Sequence, residues 1–571
     1  MAQIVKVLIV TDGGGGFKHS IKIGGQFFNA FHLGEFVDVL QETDWNGFSL
    51  QITKAHRENV VASDIGADLV NFKFDAHDLS VYDEILLFPI LRDGDSIAVP
   101  AGQPFRSSNA TDAEVKAIAE FMDAGGGVFA TGDHEDLGAG LCSRLPRIRN
   151  MRRWYWDTAG PNGEPVAPSG SSANRYDTVR AGHDYDSAHP NDNYQFDDQS
   201  DNIAQKIAPE IFEVRSSRYI RQRWPHPVLC SPEGMVRYLP DHAHEGRCEV
   251  PANMGLNVTV AGYNQQEYPP LLDGTALEPV VVAYATVIGG HATDAKPVVN
   301  ARTFGVIGAY DGHRTRRAGK TLGRVVVDAT WHHFFNINLT GDLNSPTPAK
   351  RLGFNAPLLP GQQDHYKMIK HYFRNIVYWL IPSRRRRWLV HHLLTTMVRD
   401  AQFYELNPIA KIRDFTTVNL DHIFALAKLA DAYFKQAHGA CYTLQILPII
   451  LYEIDPLRKF WERFEPTVNP WIAEREKKTI PINLDQQLVV DTILGSSVLA
   501  ALQAKNDLDS AHGTVWNEDI TQKSFELFEK HLPEMLSIGT THFSRKIQGD
   551  IKNAENFISD VKDFSTSRQS C

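Results

Sequence analysis

Short apolar runs that alternate with amphipathic helices fill the first 132 residues, and they restrict the possible folds more than any other feature. Residues 4–10 read IVKVLIV, 48–53 read FSLQIT, 82–90 read YDEILLFPI and 128–132 read VFATG. The third run is continuously apolar, which is typical of a strand buried on both faces of a parallel sheet. The order of strands and helices therefore predicts an α/β fold built on a doubly wound parallel sheet.

Two helices are predicted between these strands. Residues 25–41 place their apolar side chains at largely helical spacing. Residues 111–127 start with Thr111 and Glu114, which form a capping box, and end in three glycines. The second helix is therefore the better marked of the two.

The chain changes character twice after these elements. Residues 143–225 are rich in turn formers and Asp, which predicts a long insertion or lid. A helix over 363–381 is predicted to close an α/β domain that covers 1–381. Between them, further strands are predicted at 226–230, 234–240, 279–288, 303–311 and 323–335.

Only helical patterns follow the basic segment PSRRRRW at 382–388. We therefore predict an all-helical domain over 388–571. The arginine run is interpreted either as a phosphate-binding patch or, in our preferred interpretation, as a basic face between the domains. The helical domain is a candidate for homo-oligomerisation or for binding a protein partner.

Composition excludes several classes of protein. Of the 571 residues, 43% are hydrophobic and 22% are charged, which fits a globular protein. The 58 Lys and Arg against 68 Asp and Glu give a net charge of −10, which argues against nucleic acid as a partner. We find no signal peptide, no stretch of bilayer-spanning length and no CxxC pair, so we expect a cytoplasmic protein without a membrane partner, a disulfide framework or a thiolate zinc site.

Charged and polar residues follow five of the predicted strands. Ligands bind at the carboxyl ends of the strands in open parallel α/β sheets, so we predict one shared site in a wet cleft. Burying such groups without partners would cost several kcal/mol each. In chain order the groups are Asp12 to Gly16 with His19, Asp133 to Asp136, Asp241 with His242, His244 and Glu245, Asp311 with His313, and His332 with His333.

The residue types in this predicted site suit metal-assisted hydrolysis. Imidazole and carboxylate ligands fit a divalent ion, with zinc favoured, and such an ion would lower the pKa of a bound water to about 7. The predicted ligands are His134, Asp241, His242 and His244. The predicted catalytic residues are His332, Asp133 and Glu135, and the predicted substrate-binding residues are Asp12, Gly14, Gly15, His19 and His313.

Structural interpretations remain open beside these roles. Asp133 is equally suited to cap a helix, and the glycine run after the first strand is equally suited to a tight turn. Alternation along a strand sends His332 and His333 to opposite faces, so at most one is expected in the site, and we choose His332.

The first 340 or so residues resemble the class I glutamine amidotransferase-like superfamily, and within it the ThuA-like (trehalose utilisation) branch. The likeness is carried by VLIVTDGGGGFKHS, EILLFPI, EVKAIAEFMDAGGGVFATGDHED and GRVVVDATWHHF. It implies a flavodoxin-like sheet, an elbow with a nucleophilic Cys after the second helix and strand, and a late His that activates it. The elbow here reads TGDHED without Cys, so the resemblance implies the fold without Cys-dependent glutaminase activity. His134 matches the elbow His of ThuA-like members.

Three hypotheses for the function follow. The first is a metal-assisted hydrolase of a small, anionic or hydroxyl-rich substrate, with His332 or Glu135 as the general base. The second keeps the same fold and uses His332 and Asp133 as an acid–base pair without a cofactor. The third is a catalytically degenerate ligand-sensing or interaction protein whose helical domain mediates oligomerisation or partner binding.

Overall fold

The computed structural model describes most residues of 3–155, 204–287, 302–355, 365–452, 465–472 and 486–567. A mixed sheet of ten strands lies at its centre. The strands are β1 (Gln3–Thr11), β2 (Phe48–His56), β3 (Glu84–Phe88), β4 (Gly127–Ala130), β5 (Arg152–Arg153), β6 (Ala208–Pro209), β7 (Arg247–Cys248), β8 (Val280–Val287), β9 (Arg302–Tyr310) and β10 (Val325–Asp328).

One half of this sheet is parallel, as predicted. The strands lie in the order β2, β1, β3, β4, β10, and every neighbouring pair is parallel. If these five strands alone are numbered in chain order, so that β10 counts as the fifth, their order in the sheet is 2-1-3-4-5. Every residue of β3, β4 and β10 is buried, which explains why these runs are continuously apolar.

The other half of the sheet is antiparallel, so the sheet is mixed and the predicted parallel arrangement holds for one half only. β9 pairs antiparallel with both β8 and β10, while β5, β6 and β7 complete this half. The link from β9 to β10 holds only a short turn at Gly312–Arg314 and a hairpin of Arg316–Arg317 with Lys320–Thr321. A parallel neighbour would need a longer crossover, usually a helix.

The helices of this α/β region are α1 (Gly34–Gln41), α2 (Ala62–Ile65), α3 (Asp112–Asp123), α4 (Ala139–Cys142), α5 (Asn336–Leu339) and α6 (His365–Leu380). The capping box of α3 is confirmed: Thr111 Oγ1 accepts from Glu114 N at 3.2 Å, and Glu114 Oε2 accepts from Thr111 N at 3.1 Å. The first predicted helix is shorter than expected, because Gln26–Phe28 pairs as a strand with Ile21–Ile23.

Several short turns and hairpins accompany the central sheet. Predicted strand 226–230 is instead a 3-10 turn at Pro227–Leu229 followed by a two-residue strand, because proline starts the turn. Parts of the predicted insertion 143–225 belong to the sheet as β5 and β6, and residues 156–203 lie outside the described residues. The remaining hairpins pair Ser96–Ile97 with Arg106–Ser107, Gln205–Lys206 with Tyr238–Leu239, Ile211–Arg215 with Arg221–Pro225, Cys230–Ser231 with Gly234–Met235, and Asn257–Val260 with Tyr263–Gln266.

The C-terminal region is helical, as predicted. The helices among its described residues are α7 (Ser383–Arg399), α8 (Leu420–His438), α9 (Tyr442–Tyr452), α10 (Gln486–His512) and α11 (Glu518–Ser567). α10 contacts α7, α8, α9 and α11 and is the central helix of the group. Its segment Gln487–Ser510 is long and apolar enough to cross a bilayer, yet 83% of its most apolar window is buried within the fold, as in the core helix of a globular protein.

The predicted boundary at 382–388 coincides with the start of α7. Arg384 and Arg385 contact the carboxylate of Asp83 at 2.7 and 3.2 Å and so fix α7 to the residue before β3. The buried hydrophobic cluster continues from the sheet into the helical region. The division into two domains therefore stays a prediction.

Candidate functional site

The carboxyl ends of the parallel strands lie in one row, here named the carboxyl edge. In the register of the sheet, Thr11 of β1 is level with Phe88 of β3, and Ala130 of β4 is level with Val327 of β10. The polar residues that follow these strands therefore leave the sheet on the same side. They include Asp12, Asp133 and residues 328–333.

His332 and Asp133 form a buried pair at this edge. His332 Nε2 lies 3.2 Å from Asp133 Oδ2, and His332 Nδ1 lies 3.0 Å from Oδ1 of Asn338 on α5. The His332 and Asp133 side chains are 1% and 0% exposed. The ring thus has a carboxylate beside one nitrogen and a neutral amide, which holds it by a hydrogen bond, at the other.

Thr330 and Arg152 hold Asp133 in place. Thr330 Oγ1 donates to Asp133 Oδ1 at 2.8 Å and accepts from the backbone N of His332 at 3.1 Å. Arg152 Nη2 donates to the backbone oxygen of Asp133 at 2.9 Å, and its guanidinium stacks on Trp154. Burial lowers the pKa of Arg152, since few water molecules reach its charge. The pair therefore rests on a network that spans β4, β5 and β10.

His333 pairs with a different carboxylate. Its Nδ1 lies 2.9 Å from Asp328, which also accepts from Tyr372 Oη at 2.6 Å and from the backbone N of Thr330 at 3.0 Å. The prediction of a strand as far as residue 335 was wrong, because β10 ends at Asp328 and Trp331–His333 forms a 3-10 turn. Both histidines are consequently buried, each beside its own aspartate.

Phe334 anchors this histidine turn in the core. Its ring lies 5.1–5.5 Å from those of Phe36, Phe88, Phe129 and Phe373, which come from α1, β3, β4 and α6. Three of these four contacts are edge-to-face, an arrangement that aromatic quadrupoles favour, and the fourth is tilted. Packing of one aromatic residue therefore fixes the position of the two histidines before it.

Asp12 accepts hydrogen bonds from backbone groups at the carboxyl edge. Its Oδ1 accepts from the backbone N of Ile90 at 2.6 Å and of Leu91 at 3.0 Å, and Arg57 lies 3.7 Å from its Oδ2. Burial raises the pKa of Asp12, and the charge of Arg57 opposes that rise. This carboxylate ties the end of β1 to the end of β3, which is a structural role.

The glycine loop after β1 is a tight turn with one open position. The Gly15 backbone N donates to the backbone oxygen of Asp12 at 3.0 Å, and a Cβ at Gly15 would lie 3.1 Å from that oxygen. A Cβ at Gly14 would meet no atom within 4 Å. The predicted contact of Gly14 and Gly15 with substrate stays a prediction.

Two predicted substrate-binding histidines make no direct contact with the pair within the described part of the chain. His19 is exposed and forms an ion pair with Asp38 at 2.8 Å. His313 follows β9, which runs antiparallel to β10, so it leaves the sheet at the end where the parallel strands begin, here named the amino edge. The expectation that five strand ends share one site was therefore wrong for His313, because β9 is reversed.

Five predicted site residues lie outside the described residues: His134, Glu135, Asp241, His242 and His244. The described residues around both segments lie at the carboxyl edge. The backbone N of Asp133 donates to the backbone oxygen of Leu137 at 3.1 Å and closes the loop that contains 134 and 135. Gly246, which follows 241–245, packs so tightly on Ala329 that a Cβ there would lie 1.9 Å from the Ala329 oxygen.

Sequence reasoning missed a second imidazole at this edge. His56 Nδ1 lies 3.0 Å from Thr11 Oγ1, and His56 Nε2 lies 3.4 Å from Glu58 Oε2. Burial raises the pKa of Glu58, but hydrogen bonds, first from His56, outweigh it and lower the value overall. The motif HRE, which begins at the last residue of β2, has the same form as the motifs at the other strand ends. Asn338, Thr330 and Tyr372 were not predicted as site residues, because a single amide or hydroxyl side chain forms no recognisable sequence motif.

The cysteines at this edge offer no nucleophile. Cys142 and Cys248 are free and buried, and burial raises the pKa of both thiols. Cys230 is disulfide-bonded, so one cysteine departs from the expectation of free thiols. A thiolate at Cys142 is disfavoured further by the charge of Asp12.

Among the described residues, no three His, Cys, Asp or Glu side chains come together in a way that could hold a metal ion. The four predicted metal ligands are not among those residues, so the metal site stays a prediction. No family model, curated protein or solved structure matches this chain, so no relative supplies it with an activity or a site.

Proposed function

We propose that this chain is a hydrolase of a small, anionic or hydroxyl-rich substrate that binds at the carboxyl edge. The observation that carries the proposal is the 3.2 Å contact between His332 Nε2 and Asp133 Oδ2. The two residues follow the adjacent parallel strands β10 and β4, where ligands of open α/β sheets bind. A carboxylate that fixes an imidazole and stabilises its protonated form is a common component of general base catalysis.

The two partners of His332 assign roles to its nitrogens. Asp133 is charged when ionised and is itself held by Thr330, so it keeps its contact with Nε2. Asn338 is a neutral partner and is the easier one to exchange. Nδ1 now faces the Asn338 amide oxygen and donates to it; it would take a proton from an attacking water once the Asn338 side chain turns away and the ring hydrogen lies on Nε2, where it faces Asp133.

A divalent metal ion is the second component of this proposal. His134, Asp241, His242 and His244 would hold the ion, and these residue types suit zinc. The described neighbours of both segments, Asp133 and Gly246, lie at the carboxyl edge. When bound, the ion would supply a hydroxide-like water, while His332 or Glu135 would accept the proton.

A flavodoxin-like, amidotransferase-like fold is proposed for the α/β region, in its ThuA-like form. Two features support this assignment. The five parallel strands have the order 2-1-3-4-5, which is the flavodoxin-like order. Asp133 and His332 stand at the elbow and at the late His of the family pattern, and they are in contact. The elbow lacks Cys and Cys142 is buried, so glutaminase chemistry is not part of the proposal.

Burial of the pair favours one alternative function. The His332 and Asp133 side chains are 1% and 0% exposed, as expected for a polar pair with a purely structural role. In that case the α/β region would be a ligand sensor that has lost its activity. The helical region would then mediate oligomerisation or bind a protein partner.

The test combines an activity screen with elemental analysis of the full chain. Chromogenic esters, amides, glycosides and phosphoesters are assayed with the wild type, His332→Gln and Asp133→Asn. The matched control is His77→Gln, because His77 is exposed and its contacts, a bond to Lys73 O and stacking on Phe72, are local in the sequence. We expect a loss of about 100-fold or more in kcat for His332→Gln and an unchanged rate for the control.

Metal content separates the two forms of the proposal. Activity that a chelator removes and zinc restores would support the metal form, whereas activity that survives chelation would support the pair acting alone. A wild type that hydrolyses none of these classes, and a His332→Gln variant as active as the wild type, would each count against the hydrolase proposal and favour the sensor.

A further inference from the structure

A polar pocket lies at the amino edge, away from the His332–Asp133 pair. It is bounded by the turn Gly312–Arg314, the start of β10, the first turn of α7, and α9. Its empty volume, including the mouth, is about 400 Å³. It is here named the Arg386 pocket, and its charged and titratable lining consists of Asp311, His313, Arg314, Arg324, Arg386 and Glu465.

Two of the three arginines in this pocket have carboxylate partners. Arg324 donates to both oxygens of Asp311, from Nε at 2.6 Å and from Nη2 at 3.0 Å. Arg314 Nε lies 3.1 Å from Glu465 Oε1. Each pair cancels one positive and one negative charge, so the charge of the third arginine remains.

Arg386 is that third arginine. It is 1% exposed, and its Nε and Nη2 have no hydrogen-bond partner in the part of the chain that the structure describes. His313, which is 8% exposed, likewise leaves Nε2 without a partner there. A buried cation without a partner costs several kcal/mol, and native proteins rarely leave such groups unsatisfied.

The carboxyl of Glu84 does not neutralise Arg386. Glu84 is buried and neither of its oxygens makes a hydrogen bond within the described part of the chain. Burial, and then the charge of Asp83, raise the pKa of Glu84 well above its usual value, which favours the uncharged acid. Burial and the charge of Arg324 lower the pKa of Arg386 only to about 9, so the guanidinium remains charged at neutral pH.

We propose that the Arg386 pocket binds a tetrahedral oxyanion, either free phosphate or the phosphate group of a small molecule, with Nε and Nη2 of Arg386 as its main donors. These two nitrogens form one side of the guanidinium fork, which matches two oxygens of a phosphate. His313 Nε2 supplies a third contact. α7 begins at Ser383 in the same pocket without a side-chain cap, so its N-terminal N–H groups and dipole favour an anion as well.

An adjoining cleft lies directly beside the phosphate position. Its empty volume, including the open mouth, is about 480 Å³, and it shares Asp311, Arg314 and Arg324 with the Arg386 pocket. Trp379 and Trp471 line it. The partly buried Trp471 would therefore offer an apolar surface to a group attached to the phosphate, whereas the Trp379 ring is buried and already stacked by Arg324.

The test is titration of the full chain with inorganic phosphate, followed by calorimetry and by thermal unfolding in chloride buffer. We expect saturable binding at one site and a rise in Tm for the wild type. Arg386→Met keeps the apolar stem and removes the fork, so affinity should fall by about tenfold or more. The Tm of this variant without phosphate should not fall, because an unpaired buried charge is removed.

Arg384→Met is the matched control from the same arginine run. Arg384 bonds to Asp83 and is about half exposed, so phosphate affinity should remain that of the wild type. Absence of heat and of any Tm rise at millimolar phosphate in the wild type would overturn the proposal. An equal response in Arg386→Met and the wild type would do so too, since the phosphate would then bind elsewhere.

Two further arms complete the design. Should Arg386→Met fail to fold, Arg386→Lys keeps the charge without the fork, and an affinity equal to that of the wild type would overturn the role of the fork. Phenyl phosphate that binds more tightly than inorganic phosphate would assign the adjoining cleft to the organic part of the ligand. Equal affinities would assign the site to free phosphate.

Discussion

Tyr372 on α6 donates a hydrogen bond of 2.6 Å to Oδ2 of Asp328, the last residue of β10. The same carboxylate contacts His333 Nδ1 and the backbone N of Thr330. Burial, and then the charge of Asp328, raise the pKa of Tyr372 well above its usual value, so the phenol remains a donor throughout the working pH range. The histidine turn therefore depends on a helix that is distant in the sequence.

Replacement of Tyr372 by Phe should measure this link. It removes one buried hydrogen bond to a charged group and leaves the ring packing, so stability should fall by about 1.5–3 kcal/mol. The measurement is urea unfolding of the variant beside the wild type. Tyr82→Phe, at a partly buried position of the α/β region, serves as the control. A Tyr372→Phe variant as stable as the wild type would show that the bond contributes nothing net.

The capping box of α3 gives a second prediction. Thr111→Ala removes the Oγ1 that accepts from Glu114 N and should cost about 1 kcal/mol. Thr111→Ser keeps the hydroxyl and should cost much less. Thermal unfolding of the two variants gives the comparison, and equal losses would indicate that the methyl group, not the cap, is what matters.

Glu84 gives a prediction about pH. Its usual pKa is 4.5 and the folded value is raised, so its contribution to stability is full below about pH 4.5 and is lost as pH rises through the folded pKa. Glu84→Gln cannot ionise. Relative to the wild type, its Tm should therefore improve on going from pH 4.5 to pH 8, as followed by thermal scans. Exposed Glu120→Gln should show no such change.

Gly246 gives a prediction about the attachment of residues 241–245. A Cβ at this position would lie 1.9 Å from the Ala329 backbone oxygen, so Gly246→Ala must displace one of the two segments. We expect a clear loss of Tm and, for an active enzyme, a loss of activity. Gly549→Ala, where a Cβ meets nothing within 4 Å, is the control and should be neutral or slightly stabilising. Retention of the wild-type Tm by Gly246→Ala would show that the contact is loose.

Cys142 should not react with alkylating reagents in the folded protein. Its thiol is buried and its pKa is raised, so iodoacetamide at pH 8 should modify it only after unfolding. Mass spectrometry of peptides from native and denatured samples distinguishes the two cases. Rapid labelling of Cys142 in the native protein would mean that this part of the carboxyl edge opens to solvent.

The parallel half of the fold and the His332–Asp133 contact follow from local sequence features. Continuous apolar runs such as 84–88 occur where both faces of a strand are covered, and the α3 capping box is a local motif. Once β4 and β10 are adjacent, the residues that follow them must meet. Strand order brings the two segments together, but the 3-10 turn that places His332 beside Asp133 was not predicted.

The direction of β9 and the end of β10 could not be predicted in the same way. A buried antiparallel strand has the same apolar pattern as a buried parallel one, and its direction depends on the connection to the next strand. The run VVVDATWHHFF shows no break, yet Thr330 Oγ1 accepts from the His332 backbone N and starts a turn. Such side-chain bonds compete with the strand and leave little trace in hydrophobic periodicity.

Because β9 runs antiparallel to β10, the Arg386 pocket and the His332–Asp133 pair lie at opposite ends of β10. We expect changes at one of them not to affect the energetics of the other. His313 and Arg386 lie beyond one end of β10 and His332 beyond the other, and the four residues of that strand span roughly 13 Å. Substitutions so far apart that share no partner normally have additive energies. A double-mutant cycle between Arg386 and His332 should therefore give an interaction energy close to zero. A ligand bound in the Arg386 pocket should neither strengthen nor weaken binding at the carboxyl edge.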